Sequence, residues 1–224
     1  MTRFLAFLAL LAITAPAVAA SPGDRLTQAA LSVPDKKAAE AIVESSLAEI
    51  DAVLRADPKN WDMRLQRGIG LGYRAKLTRS IGDAKAARDI FTQLVRERPN
   101  DPQGLIALAS WHIETVADVG ALIGSAVLGA KREAGLGFLT RAVKASGDQA
   151  LVTGFAALLH ARALPKDVAA TRALVEAAMK DQVNIPLDRE MQKRAARLLP
   201  ALRANDGKAA ATLAATLLPL GAVK

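Results

Sequence analysis

Arg64, Arg67 and Arg74 are the residues whose type and spacing most readily do chemistry in this chain. A guanidinium is a planar fork of donors that meets a carboxylate in two parallel, charge-assisted hydrogen bonds. At about 100° per residue the three fall on one side of a helix, nearly opposite the stripe Leu65, Ile69, Tyr73 and Leu77. That stripe recurs every four residues, as a core-facing helix face should. Three cationic forks on one face suit an acidic peptide or a terminal carboxylate. The plainer alternative is a solvated basic face.

The other candidates lead less far. His112 and His160 are the only histidines, and neither stands three or four residues from a second ligand of histidine or cysteine type. Glu114, two residues after His112, points to a different helix face. No serine sits in a Gly-x-Ser-x-Gly elbow. The absence of cysteine removes thiol catalysis, disulfides and thiolate metal sites. Gly68, Gly70 and Gly72 resemble a phosphate loop in glycine count alone, since no strand precedes them and no lysine-serine follows. Asp62 and Glu114 are carboxylates that nothing in the sequence orients for acid–base work. We therefore expect a binding protein rather than an enzyme, with no cofactor and no metal.

The arginines need a helical unit to hold them, and residues 61–102 supply one. Gly82 breaks the first helix and Asp83 caps the second, whose inner stripe is Ala87, Ile90, Phe91, Leu94 and Val95. Pro99 ends that helix, and Asp101-Pro102 opens the next as a cap plus first-turn proline. The glycines of the first helix cost roughly 1 kcal/mol each against alanine, which is tolerable where a neighbouring helix must come close.

An alanine four residues before Phe91 with a proline eight after it, and Gly70 three residues before Tyr73, resemble the two halves of a tetratricopeptide (TPR) repeat. Ser46 and Ile50, Ala134 and Phe138, and Ala170, Leu174 and Ala177 repeat the pattern. The corners fall at Pro58, Pro99, Ser146 and Gln182, spaced 41, 47 and about 36 residues against roughly 34 for the ideal repeat. The resemblance implies an all-α fold, a TPR-like right-handed array of antiparallel helical hairpins. Residues 21–182 would form the array and residues 183–224 C-terminal capping helices, as such arrays require. It also implies a concave groove lined by each unit's first helix. Its face would carry Arg64, Arg67 and Arg74, then Ile106, Ser110, Ile113 and Glu114, then Thr153 and His160.

One stretch breaks the plan. Residues 118–130, DVGALIGSAVLGA, are apolar and punctuated by Gly120, Gly124 and Gly129. Gly120-x-x-x-Gly124 is a spacing that lets helices touch backbone to backbone. The run is too short to span a bilayer. It reads as a packed insertion, as a lid over an apolar pocket, or as a patch that docks on a partner or a membrane surface. Gly120, Leu122, Ile123, Gly124, Val127 and Leu128 would form that lid or patch. Further on, Leu187, Met191, Leu198 and Leu202 mark one side of a tail helix, with Arg189, Lys193, Arg194 and Arg197 toward the other.

Residues 1–20 read as a secretory signal peptide: Arg3, an apolar run from Phe4 to Ile13, and a small-residue cleavage site at Ala17-Val18-Ala19 or Val18-Ala19-Ala20. Its removal leaves about 204 residues, ample for one core. Aromatic residues are 4% of the chain and no strand-like alternation persists, in keeping with an all-α domain. The formal net charge is +8, and +7 without Arg3. Such a charge suits nucleic acid, anionic lipid or an acidic protein, and in an exported chain nucleic acid is the poorest match. We expect a periplasmic scaffold, with no transmembrane span in the mature chain, that binds a protein or peptide through a partly basic groove. The alternative is a periplasmic binding protein for a small apolar ligand held under the glycine-rich insertion. In that form it resembles the helical-repeat partner subunits of some solute transporters.

Overall fold

The structure, a computed structural model, describes residues 20–223, so the expected signal peptide lies almost wholly outside the described residues. Every regular element among them is a helix, with no strand. The elements are α1 (Pro22–Ser32), α2 (Lys36–Ala56), α3 (Trp61–Thr78), α4 (Ile81–Glu97) and α5 (Pro102–Val119). A single turn, α6 (Ala121–Ile123), runs into a π-turn at Gly124–Leu128. Then come α7 (Arg132–Ala145), α8 (Ala150–Ala163), α9 (Val168–Ala178), α10 (Pro186–Ala196), α11 (Leu199–Arg203) and α12 (Gly207–Leu217).

The helix starts are set locally by side-chain oxygens that take up the first free N–H groups. Asp35 accepts from Ala38 N at 2.8 Å, Asn60 from Met63 N at 3.1 Å, and Asp101 from both Gln103 N and Gly104 N at 3.0 Å. Asp167 serves α9 in the same way. One start differs from the sequence reading. Arg79, at φ 63°, ends α3, and Ser80 rather than Asp83 caps α4. Gly82 lies inside the first turn of α4 and breaks nothing. Asp83 is thereby free to pair elsewhere.

Helices α1/α2, α3/α4, α5/α7 and α8/α9 pack as neighbouring pairs. In α3/α4 the order is antiparallel: Gly68 faces Phe91, Gly72 faces Ala87, and Arg74 reaches Asp83. A Cβ on Gly68 would lie 2.5 Å from the Phe91 ring, and one on Gly70 2.8 Å from Leu47 of α2. Two of the three glycines therefore permit close approach. Gly72 has its nearest neighbour at 4.0 Å and does not need to be glycine for space. The first helices of successive pairs run parallel. Trp61 at the start of α3 meets Gly104 at the start of α5, and Lys76 near the end of α3 reaches Glu114.

The C-terminal helices fold back onto the array. α10 crosses α8 so closely that a Cβ on Gly154 would stand 2.8 Å from Met191 O. α12 also lies along α8, and the segment after it reaches α1, where Leu220 N–H donates to Ala30 O at 2.7 Å. One continuous apolar core therefore runs from Leu26 of α1 through Leu105 and Leu158 to Leu198 and Leu220. No helix among the described residues is long and apolar enough to cross a membrane.

Candidate functional site

α3 lies between α2 and α4, and all three of its arginines point at carboxylates on those neighbours. Arg64 grips Glu97 with both Nη atoms, at 2.7 and 2.9 Å. Arg67 donates from Nε to Asp51 at 2.7 Å. Arg74 holds Asp83 through Nε and Nη2, at 2.8 and 2.7 Å, and reaches Glu44 at 3.2 Å. The Arg74 guanidinium holds the Asp83 carboxyl below the usual range, and Arg64 does the same for Glu97. The pairing had a sequence signal. Glu44 and Asp51 are seven residues apart on α2, and their partners Arg74 and Arg67 are seven apart on antiparallel α3. The forks do meet carboxylates, but the carboxylates belong to the same chain.

A second network ties the ends of three helices. Lys76 of α3 lies 2.9 Å from Glu114 and 3.5 Å from Asp118, both on α5. Arg162 of α8 meets the same two acids from the other side. Arg162 Nε and Glu114 Oε1 lie 2.7 Å apart but off the hydrogen-bond direction, so each is buried without a well-aligned partner. Two cations balance two anions. Glu114 was expected on the groove face, whereas Lys76, Asp118 and Arg162 were missed. The i, i+4 spacing of Glu114 and Asp118, which sets both on one helix face, was the available signal.

The remaining groove residues change meaning in the structure. Ile106, Ile113 and Thr153 are buried, which corrects their assignment to an open face. α5 and α8 are enclosed by neighbours on most sides, so the side opposite their first apolar stripe is also covered. Ser110 is half-buried on α5. His160 places Nδ1 2.9 Å from Thr171 Oγ1 and Nε2 3.9 Å from Asp167. This is no nucleophile–base pair, because Thr171 is buried and its hydroxyl already donates to Asp167 O at 3.0 Å. Burial lowers the His160 pKa, against the pull of Asp167. His112 lies within the core, stacked on Phe138, with Nδ1 accepting from Lys131 N–H at 3.1 Å. Burial, aided by Arg88 and Lys131, lowers its pKa to about 4, so the ring is neutral.

The insertion is the most exposed apolar part of the fold. Gly120, at φ 83°, ends α5 in a conformation that suits only glycine. A Cβ on Gly120 would meet nothing within 4 Å, whereas one on Gly124 would lie 3.6 Å from Val116 Cα, so only the second glycine of the pair lies against a neighbouring helix backbone. Leu122, Ile123 and Val127 are 84%, 56% and 43% exposed. Beneath them Leu128 and Ala130 are buried and Gly124 rests against Val116 and Val119. Arg88 of α4 donates to Leu128 O at 2.7 Å while its ring-side face covers Trp111. Gly129, at φ 75°, closes the turn. The segment is fastened from below and open above.

Two shallow cavities lie elsewhere. One of about 500 Å³ runs along α12 by Lys208, Thr212 and Leu213, and one of about 330 Å³ sits at the start of α10 by Ile185, Arg189 and Lys193. Among the described residues no group of three or more acidic or histidine side chains is arranged to hold a metal ion. Comparison with family models, with curated proteins and with solved structures finds no match.

Proposed function

We propose that the chain is an exported, TPR-like helical scaffold that docks on another protein, with the insertion after α5 as its contact. The supporting observation is the exposure of Leu122, Ile123 and Val127 on a segment anchored by Leu128, Gly124 and Arg88. A segment that only filled a gap would turn its largest apolar side chains inward. Instead Leu122 and Ile123 are held out on the single turn α6 and Val127 on the π-turn that follows it, a local geometry often found at functional sites. Covering apolar surface returns about 25 cal/mol per Å², which is the driving force such a contact needs.

The TPR-like reading draws on four successive helix pairs, with α3 and α5, the first helices of the second and third, running parallel and starting on the caps Asn60 and Asp101. A right-handed superhelix is what the family resemblance adds. Periplasmic location rests on the leader at residues 1–20, and a binding role without catalysis on the absence of any oriented nucleophile or ligand set in the sequence. A second reading, an acidic peptide gripped by α3, is favoured by one residue. Arg67 spends only Nε on Asp51 and is 37% exposed, so its Nη donors stay open to a guest.

The test is a cross-linked pull-down from periplasmic extract with mature protein, a Leu122→Ser/Ile123→Ser/Val127→Ser variant and an Arg67→Glu variant. We expect the serine variant to lose a partner that Arg67→Glu retains. Identical partner lists for all three would refute docking through the insertion. Loss confined to Arg67→Glu would favour the acidic-peptide reading.

A further inference from the structure

Arg194 of α10 joins the two ends of the fold. Its Nη2 donates to Leu31 O in the last turn of α1 at 2.8 Å, its Nη1 to Leu217 O at the end of α12 at 2.7 Å, and its Nε to Glu190 at 2.7 Å. Carbonyls in a final helical turn have no donor within their own helix, and a cation there also complements the negative end of the helix. The neighbouring free carbonyl of α1, Ala30 O, is taken by Leu220 N–H at 2.7 Å. Leu218 and Leu220 are buried in the core that also holds Leu26, Ala29 and Ala30.

The segment that makes this contact is held under constraint. Leu220 has φ 60°, in the left-handed region that a leucine seldom occupies. Gly221 is pressed onto Ala215 O so tightly that any Cβ would overlap it. The attachment consists of one backbone hydrogen bond to α1, two buried leucines, the partly buried Val223 against the same core, and a strained turn. That is how a bound peptide is held, rather than how a helix is packed.

We infer that residues 218–223 are a detachable latch: an intramolecular ligand filling a slot at the end of α1. The slot would take a tight apolar turn, closed as here by Gly221 N–H donating to Leu218 O, that presents an N–H to Ala30 O and buries two leucine-sized side chains. With the latch out, α1 is tied to the C-terminal helices through Arg194, and the array can open at that seam. The inference uses residues distinct from the docking insertion and stands independently of it.

The test uses the full chain carrying Leu218→Asp/Leu220→Asp, with hydrogen exchange read by mass spectrometry. Exchange should rise at least tenfold in the second half of α1 and the end of α12, with α3 to α8 unchanged. A fluorescent synthetic peptide of residues 216–224 should bind this variant saturably and the wild-type chain not at all. The same peptide with Leu220→Asp should fail to bind. Gly221→Val, which keeps both leucines, should reproduce the exposure of α1. Unchanged protection of α1 in either variant would overturn the inference, as would loss of protection throughout α3 to α8. Equal peptide binding by variant and wild type would do the same.

Discussion

Replacing Arg74 by glutamine should show whether the α3 arginines are structural clamps or free forks. The substitution removes two charge-assisted hydrogen bonds to Asp83, at 2.8 and 2.7 Å, and one longer contact to Glu44. Hydrogen bonds to charged groups contribute about 1.5–3 kcal/mol each before screening. The Arg74 and Asp83 side chains are 29% and 18% exposed, so the pair is only partly screened, whereas Glu44 is 51% exposed and adds little. After that discount the expected loss is about 1.5–3 kcal/mol, with Asp83 left half-buried and unpaired. In a chain of this size each kcal/mol moves the melting point roughly 2–4 °C, so Tm should fall by about 3–12 °C. The assay is thermal melting followed by far-ultraviolet circular dichroism. A double-mutant cycle with Asp83→Asn should return a coupling of about 1–2 kcal/mol. The pH dependence has a definite sign. Arg74 lowers the folded pKa of Asp83, so its contribution is complete above the unfolded value near 3.9 and is lost as pH falls through the lowered folded value. The coupling should therefore hold from pH 7 to about pH 5 and vanish only in stronger acid. An unchanged Tm at pH 7, or zero coupling, would refute the clamp and return Arg74 to the pool of groups open to a ligand.

Four further outcomes follow from the packing. Gly154→Ala should destabilise by about 1–3 kcal/mol, because its Cβ would meet the Met191 backbone at 2.8 Å. Gly72→Ala, with 4.0 Å of room, should stabilise by about 0.5–1 kcal/mol. Denaturant titration compares the two. The His112 ring should titrate near pH 4 by NMR. Because its folded pKa is depressed, protonation favours the unfolded chain, and stability should fall from about pH 6.5 downward by on the order of 2–3 kcal/mol, an effect absent in His112→Gln. Ser46 Oγ is fully buried without a hydrogen-bond partner, so Ser46→Ala should leave Tm unchanged or raise it.

Much of the local structure was legible because its causes lie within a few residues. The caps Asp35, Asn60, Asp101 and Asp167 each bind an N–H two or three positions on, so their role is written in the sequence. The apolar stripe of α4, Ala87 through Val95, follows from helical period alone. The misplacement of the α4 cap had a local reason too. Arg79 takes the left-handed conformation that Gly82 was expected to supply, and Ser80 lies in the right place to follow it. The candidate site was less legible. Leu122, Ile123 and Val127 were recognised as unusual, but hydropathy cannot tell an apolar side chain turned outward from one turned inward.

Composition, periodicity and capping residues thus determined by themselves that the described residues are helical, where α2, α3, α5 and α9 begin, and which face of each seeks a core. Tertiary structure alone decided what the opposite faces meet. Arg64, Arg67 and Arg74 read identically whether they face solvent or Glu97, Asp51 and Asp83. Likewise nothing near Leu220 announces that it will close on Ala30, some 190 residues away. The physical reason is range. A cap or an amphipathic stripe is fixed by bonds within one or two turns, whereas the partner of a charge or the closing of an array depends on how whole helices stack.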